Sequence, residues 1–359
     1  MENNPSLSFW ENKNVLLTGH SGFKGSWLSM WLKVLGAKVF GMSLHPTTEP
    51  NLFTMANVEH ICHKSYYADV RNLASVQQIV EESSPEIVFH LAAQPLVRES
   101  YRTPQETFAT NVMGTVNLLE ALRDSPTVQT VICITTDKVY ENREWPWPYR
   151  ENDHLGGRDP YSASKAASEL AVKSYRMAFF DQHKIGVATA RAGNVIGGGD
   201  WSEDRLIPDA MRAWMSNETL FIRNPQAVRP WQHVLESLYG YLMLAEKLNS
   251  DVSLAGAYNF GPGARNNACV LEVLEMAQDY FPDGQIAIDN PSPDSMHEAT
   301  LLALDTYRTN SVLGVFPRWD LKEAIARTCA WYQNSAANPQ NSLKLCLNDI
   351  AAFTTKESK

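Results

Sequence analysis

The chain has 359 residues, 44% of them hydrophobic, and a formal net charge of −9 at pH 7 with a pI near 5.5. That apolar share can bury a large core, and the length suits one large domain or two smaller ones. With no dense basic run, the acidic balance argues against nucleic acid or an anionic membrane as the main partner, so any anionic ligand must be held by a few local Arg or Lys side chains or by helix N-termini.

The N-terminal MENNPSLSFW has no basic stretch leading into an apolar one, so no signal peptide is expected. No apolar run approaches the ~18 residues that suggest a membrane helix. The sequence is therefore read as a soluble cytoplasmic enzyme or binding protein. Cys62, Cys133, Cys269, Cys329 and Cys346 are scattered, without a Cys-x-x-Cys or zinc spacing. Neither a structural disulfide nor a metal site is expected, and Cys133 reads as core.

The first half alternates strand-like and helix-like segments. NVLLT (14–18) reads as a buried strand and 24–36 as an amphipathic helix ending at Gly36. Strands follow at 38–44, 62–70, 86–93, 130–136 and 185–191. Helices are expected over 73–83, 105–123 and 161–180. Short apolar β runs separated by helices predict an α/β fold, a Rossmann-type doubly wound parallel sheet. After residue 192 the alternation loosens. Helices near 205–216, 233–248 and 321–334, with short strands such as AYNF (257–260), read as a smaller mixed α/β lobe. The division expected is 1–192 for a dinucleotide-binding domain, then 193–335 mainly for a substrate lobe whose chain crosses back to the first. The tail 336–359 is polar and shows no strong pattern.

TGHSGFKG (18–25) follows the first strand directly and opens the first helix. Gly19, Gly22 and Gly25 permit a tight turn and close approach of backbone to a pyrophosphate at the positive helix N-terminus, with Phe23 beside them. A glycine triplet alone also fits a mere tight turn; the strand–turn–helix context favours a nucleotide. At the end of the second strand the usual acidic ribose ligand is missing, and Ser43 and His45 stand there instead. No Arg is nearby to take a 2′-phosphate, so NAD is favoured over NADP. Asp69 and Val70 end the third strand, where a carboxylate can accept from an adenine amino group or serve only as a helix N-terminal charge. Leu91, Ala92 and Ala93 in HLAAQP pass under the cofactor, the small residues leaving it room.

Tyr161 and Lys165 in YSASK stand at i, i+4 on one helix face. A nearby ammonium would lower the phenol's pKa and make it a base for a hydroxyl proton as hydride leaves the same carbon. Alone the pair also fits a helix surface; after a glycine loop, and beyond a strand ending at Thr136, it reads as catalytic.

The glycine loop, HLAA, TNVMGT (110–115), the Thr136–Tyr161–Lys165 set and RAGNVIGGGDW together resemble the extended short-chain dehydrogenases/reductases over roughly residues 12–335. Asp137 after Thr136 makes the chain similar to the nucleotide-sugar 4,6-dehydratases of that superfamily; the epimerases usually lack that acid. The dTDP-glucose members carry Glu next, whereas this chain has Lys138. That lysine, with GNVIGGGDWSEDRLIPD, RPWQHVLE and MHEATLLALD, resembles the members acting on CDP-glucose.

The resemblance implies NAD as cofactor, CDP-glucose as substrate and a 4-keto-6-deoxy sugar as product, made for bacterial surface polysaccharide such as O-antigen. It implies that Tyr161 takes the proton of the 4-hydroxyl, that Thr136 bonds that oxygen and that Lys165 positions the ribose. Asp137 would protonate the departing 6-hydroxyl. Lys138 stands where a base for carbon 5 is needed; it is either that base, which requires an uncharged amine, or the holder of a water or sugar oxygen. Asn194, Arg205, Leu206 and Arg229 are expected at the nucleotide sugar, Arg229 through its planar fork; His297 joins them by resemblance alone. A homodimer through the helices 105–123 and 161–180 is implied as well. The rivals are a nucleotide-sugar 4-epimerase, a dehydratase for another nucleotide, and a non-catalytic NAD-sensing protein of the same fold.

Overall fold

Val15, Leu17, Val39, Ile87, Phe89, Ile132 and Ile134 pack to one side of a sheet, while Leu16, Phe40, Met42, Val88, Val131 and Cys133 pack to the other. Both faces are buried, which is why these strands read as unbroken apolar runs. The computed structural model describes residues 4–262, 267–289 and 301–355. Its central sheet holds β1 (Asn14–Thr18), β2 (Lys38–Ser43), β3 (Lys64–Tyr67), β4 (Ile87–His90), β5 (Thr130–Ile134) and β6 (Gly186–Ala192), with Gly256–Phe260 as seventh strand. The order is Gly256–Phe260, β6, β5, β4, β1, β2, β3, and every pairing is parallel. The order reverses beside β1, where a doubly wound sheet opens its ligand crevice.

Three strands stop sooner than their apolar runs suggest, at Tyr67, His90 and Ile134. At the second of these the backbone turns to a side chain: Leu91 and Ala92 N–H both donate to Thr18 Oγ1. The expected helix 105–123 is a rod in three pieces, Pro104–Phe108, a π turn at Ala109–Met113, and Gly114–Leu122. The helix that carries Tyr161 and Lys165, the expected catalytic pair, runs Pro160–Tyr175 and continues into a second π turn, Arg176–Phe180. Its N-cap is Asp159, whose carboxylate accepts from Ser162 N–H.

The strand read as AYNF does not build a separate sheet. It joins β6 in register, Tyr258 opposite Ala190, and so the chain crosses back. Helices Leu206–Met215, Val234–Ser250 and Leu321–Ala337 appear close to their expected spans. Two-stranded ribbons link them, among them Thr219–Ile222 with Gln285–Ile288.

Two elements differ from the sequence reading. Val97–Arg102 is a short helix over residues to which the sequence reading gave no element. The tail, read as patternless, folds into helix Ser342–Thr355. It buries Cys346, Ile350 and Phe353, a stripe at helical spacing that polar neighbours hide in sequence. Phe353 meets Trp31 and Trp319 edge-on, with ring centres 5.7 and 5.0 Å apart. Among the described residues no helix is long and apolar enough to cross a membrane, and no group of His, Cys, Asp and Glu is arranged to hold a metal.

Candidate active site

A cleft of about 1070 Å³ opens at the C-terminal ends of the strands, between the sheet and the ribbons beyond it. It gathers residues spread over more than 250 positions of sequence, from Gly19 to Val270 and Leu302.

The glycine loop forms one end. Gly19 has φ +77, and a Cβ there would lie 2.7 Å from Ala92 N. A Cβ on Gly25 would lie 2.1 Å from Gly19 O, so helix Phe23–Val34 seats only on a glycine. Gly22 is the N-cap of that helix in extended backbone, and no side chain crowds it. These close contacts leave a helix N-terminus open to the cleft, the cradle a dinucleotide pyrophosphate requires. The β4 end is fixed from behind. His90 links Thr18 Oγ1 (2.7 Å) to Thr115 Oγ1 (3.1 Å), and burial drives its pKa down to about 3, so it stands neutral. That holds Leu91, Ala92 and Ala93 along the cleft floor.

At the end expected to hold adenosine, the residues named from sequence line the cleft, with partners of their own. Ser43 Oγ bonds His20 Nδ1 at 3.0 Å, and His20 Nε2 meets Ser65 Oγ at 3.1 Å. Burial lowers His20 to about 4. Asp69 is chelated by Arg71, its Oδ2 accepting from Nη2 at 2.6 Å, and Arg71 also reaches Glu106 at 3.2 Å. That hydrogen-bonded pair holds the Asp69 carboxyl below its usual range. Arg71 lines the cleft, contrary to the reading that no Arg lies near, yet two carboxylates already occupy it. Val70 and Phe23 complete this wall.

Four of the expected catalytic residues, Thr136, Lys138, Tyr161 and Lys165, line the cleft together. Thr136 Oγ1 donates to Asp137 Oδ1 at 2.9 Å, and Lys138 Nζ stands 3.5 Å from the same oxygen. Asp137 is fully buried, and its Oδ2 has no hydrogen-bond partner among the described residues. A Cβ on Gly193 would approach that oxygen to 3.2 Å.

The Tyr161 phenol departs from the sequence reading. Burial pushes it up to about 12, a Thr136 hydrogen bond pulls it back and the Asp137 charge adds to the rise. The Lys165 ammonium donates to Ile134 O at 3.2 Å, and burial brings it down to about 8.

On the far side Asn194, Arg205, Leu206 and Arg229 line the cleft as expected. Arg205 Nη1 pairs with Asp200 Oδ2 at 2.7 Å, and Arg229 Nη1 donates to Val228 O at 2.8 Å. His297 lies outside the described residues.

Some site residues escape the sequence reading. Asn111, within the π turn, accepts from Gln94 N–H and donates to Gln94 O and to Ser164 Oγ, two residues beyond Ser162 on the catalytic helix. Glu169, one turn beyond Lys165, accepts from Thr135, Thr189 and the Arg191 guanidinium. Arg191 also donates to Tyr140, which donates to Asn259. Strands β5 and β6, Gly256–Phe260 and the loop after Lys138 thus meet in one buried network. Lys24, inside the glycine loop, donates to Tyr241 Oη at 3.3 Å, and burial lowers it to about 7. A lysine among the glycines of TGHSGFKG is the one visible signal for it.

Residues 16–328 match the family model described as GDP-mannose 4,6 dehydratase, and the chain belongs to that family. It is 45% identical over 333 residues to CDP-glucose 4,6-dehydratase of Salmonella typhimurium, covering 91% of this chain and 92% of the relative. It is 27% identical to dTDP-glucose 4,6-dehydratase of Xanthomonas campestris, covering 88% and 92%. Among solved structures it resembles an NAD-bound UDP-glucose-4-epimerase from Stenotrophomonas maltophila, with TM-score 0.79, 20% identity and 91% and 99% coverage. The Brucella ovis UDP-glucose 4-epimerase with NAD gives TM-score 0.76 at 23% identity, covering 88% and 97%. The chain is thus a dehydratase of the nucleotide-sugar class, and its glycine cradle is of the kind that seats a dinucleotide.

Proposed function

We propose that this hydro-lyase converts CDP-glucose to CDP-4-keto-6-deoxyglucose, with no net redox, for deoxysugar synthesis. The observation that carries the nucleotide choice is Asp137 followed by Lys138 beside the Tyr161–Lys165 pair, in a chain 45% identical to the Salmonella enzyme. NAD, held at the glycine cradle, would supply the acceptor for the hydride of carbon 4 and the donor for carbon 6.

The chain's own residues do the rest. Tyr161 takes the proton of the 4-hydroxyl, and Thr136 holds that oxygen. Lys165 bonds the ribose and, once turned from Ile134 O, draws the phenol down. The ketone made at carbon 4 acidifies the hydrogen on carbon 5. Asp137 gives its proton to the 6-hydroxyl from the free Oδ2, and water leaves across carbons 5 and 6. Lys138 serves carbon 5, as the base or through a held water. Asn194, Arg205, Leu206 and Arg229 bind the nucleotide sugar, with His297 added by resemblance. Residues 1–192 serve mainly the cofactor and 193–335 mainly the substrate.

A homodimer fits the surface. Phe108, Met113, Leu170 and Met177 are 39, 51, 58 and 61% exposed, and all lie on the two long helices named for pairing. Leu170→Lys with Met177→Glu should yield a monomer in sedimentation. A cytoplasmic setting is the natural one for this substrate.

The test is incubation with NAD and a panel of CDP-, dTDP-, UDP- and GDP-glucose, followed by mass analysis. Loss of one water from CDP-glucose is expected. Conversion at constant mass would make the protein an epimerase. Water loss from a different nucleotide would correct the base, and NAD binding without any conversion would make it a sensor.

A further inference from the structure

Arg98 lies on the short helix Val97–Arg102 and lines the cleft. Asp204 lies opposite, on the loop before helix Leu206–Met215. The two meet across the mouth, Arg98 Nη1 standing 3.1 Å from Asp204 Oδ1. Arg223, beyond strand Thr219–Ile222, brings its own Nη1 to 4.0 Å from the same oxygen. One carboxylate oxygen therefore sits between two guanidinium groups carried by different walls of the cleft.

Three features set this cluster apart from an ordinary surface ion pair. Asp204 holds φ +58, a left-handed conformation that a non-glycine residue adopts at a cost, and it is this backbone that delivers the carboxylate. Arg98 Nε is buried and finds no acceptor among the described residues. A guanidinium offers its N–H groups in a fork suited to a phosphate, and here one prong is left unmet beside a ligand cleft. The ion pair itself is 35% and 27% exposed, a setting in which such pairs are weak and exchangeable.

We propose that Arg98 is a substrate-binding residue for the diphosphate of the nucleotide sugar, and that Asp204 is the anion that stands in for that diphosphate while the cleft is empty. This rests on the nucleotide-sugar reading above. A diphosphate brings more negative charge and more acceptors than one carboxylate. It takes Arg98 through Nε and Nη, draws Arg223 with it and releases Asp204. The pair thus keeps the arginines apart and oriented, and weakens binding of anything less charged than a diphosphate.

The two partners then have opposite effects on affinity, which a merely structural pair would not. Titrate the NAD-loaded enzyme with CDP and, separately, with inorganic pyrophosphate. Arg98→Gln should weaken both by ~10- to 100-fold, the usual scale for a charge-assisted hydrogen bond. Arg98→Lys, with charge but no fork, should fall between. Asp204→Asn should tighten both by ~2- to 5-fold, the scale of an exposed ion pair. NAD affinity, read at the other end of the cleft, should stay unchanged in all three and vouches for folding. Equal weakening by Arg98→Gln and Asp204→Asn overturns the proposal, as does unaltered affinity in Arg98→Gln. If the wild type binds dTDP or GDP in place of CDP, the nucleotide assignment is wrong, and the opposed signs are then read with that nucleotide and with pyrophosphate. Failure to bind any of these probes sinks both ideas.

Discussion

At the scale of single residues, the group proposed as base and the group proposed as acid are both buried, in different surroundings. Tyr161 is a buried phenol raised to about 12, while Asp137 is buried with one oxygen unmet. Tyr161→Phe is expected to lower turnover by ~10²–10⁴-fold or more, the usual worth of positioned proton transfer. Calorimetry should find NAD binding unchanged, because the glycine cradle lies elsewhere in the cleft; near-normal turnover would remove Tyr161 from the chemistry. Asp137→Asn should slow water loss by a similar ~10²–10⁴-fold while sparing oxidation at carbon 4. With CDP-glucose deuterated at carbon 4, the isotope effect on turnover should then shrink, since elimination has become limiting. An isotope effect that grows would mean Asp137 serves the oxidation instead. Lys138 stands 31% exposed and 3.5 Å from Asp137 Oδ1. Lys138→Met, given the 4-keto-6-deoxy product in heavy water, should admit deuterium at carbon 5 more slowly than the wild type. Unchanged exchange would leave Lys138 a positioning residue and assign the base to a water or another side chain.

At the scale of elements, the buried pair Glu169–Arg191 ties the catalytic helix to the strand ends, with both side chains 4% exposed. Burial alone would raise the Glu169 carboxyl; the Arg191 fork and the Thr135 and Thr189 hydroxyls overcome it and hold it low. Glu169→Gln leaves the Arg191 charge buried without its counter-ion and should cost about 3–5 kcal/mol of stability in urea unfolding. The double variant Glu169→Leu/Arg191→Leu should lose less than Glu169→Gln alone. A single variant as stable as the wild type would show that the network carries no weight. Neither this network nor its reach to Tyr140 and Asn259 was legible in sequence, because buried ion pairs leave no periodic mark. The sheet was legible for the opposite reason: strands buried on both faces are short apolar runs, and helices announce themselves between them. Strand ends were overread where Leu91 and Ala92 follow His90, since small apolar residues look alike in a strand and in a cofactor turn. Helix Ser342–Thr355 was missed because its buried positions include Ser342 and Asp349 among the apolar ones.

At the scale of the whole molecule, sequence motifs named the glycine cradle, the Thr136–Asp137–Lys138 run and the Tyr161–Lys165 pair, which are local in the chain. They gave no role to Arg98, Asp204 or Asn111, although TNVMGT and GNVIGGGDWSEDRLIPD contain the last two, because those contacts come only from residues far away being folded together. The same folding buries three neutral histidines, and these set the response to acid. His20, His90 and His233 are driven by burial from 6.5 to about 4, 3 and 3. Between those values and 6.5 the unfolded chain binds protons that the folded chain refuses. Their contribution to stability is therefore complete above about 6.5 and is lost as pH falls through that window. Asp349 works against this over part of the range, since burial raises it to about 6 and the folded state takes its proton first. A single substitution isolates one histidine from that sum. His90→Asn should be less stable than the wild type at pH 7.5, because bonds to Thr18 and Thr115 are weakened. On going to pH 5 the wild type alone pays for keeping His90 neutral, by roughly 1.4 kcal/mol per pH unit below 6.5, so the gap should narrow by about 2 kcal/mol. Urea midpoints and slopes at the two pH values measure it. A gap that stays constant would mean that His90 takes up its proton equally in the folded and unfolded chain, and that the link from Thr18 through His90 to Thr115 does not depend on a neutral ring.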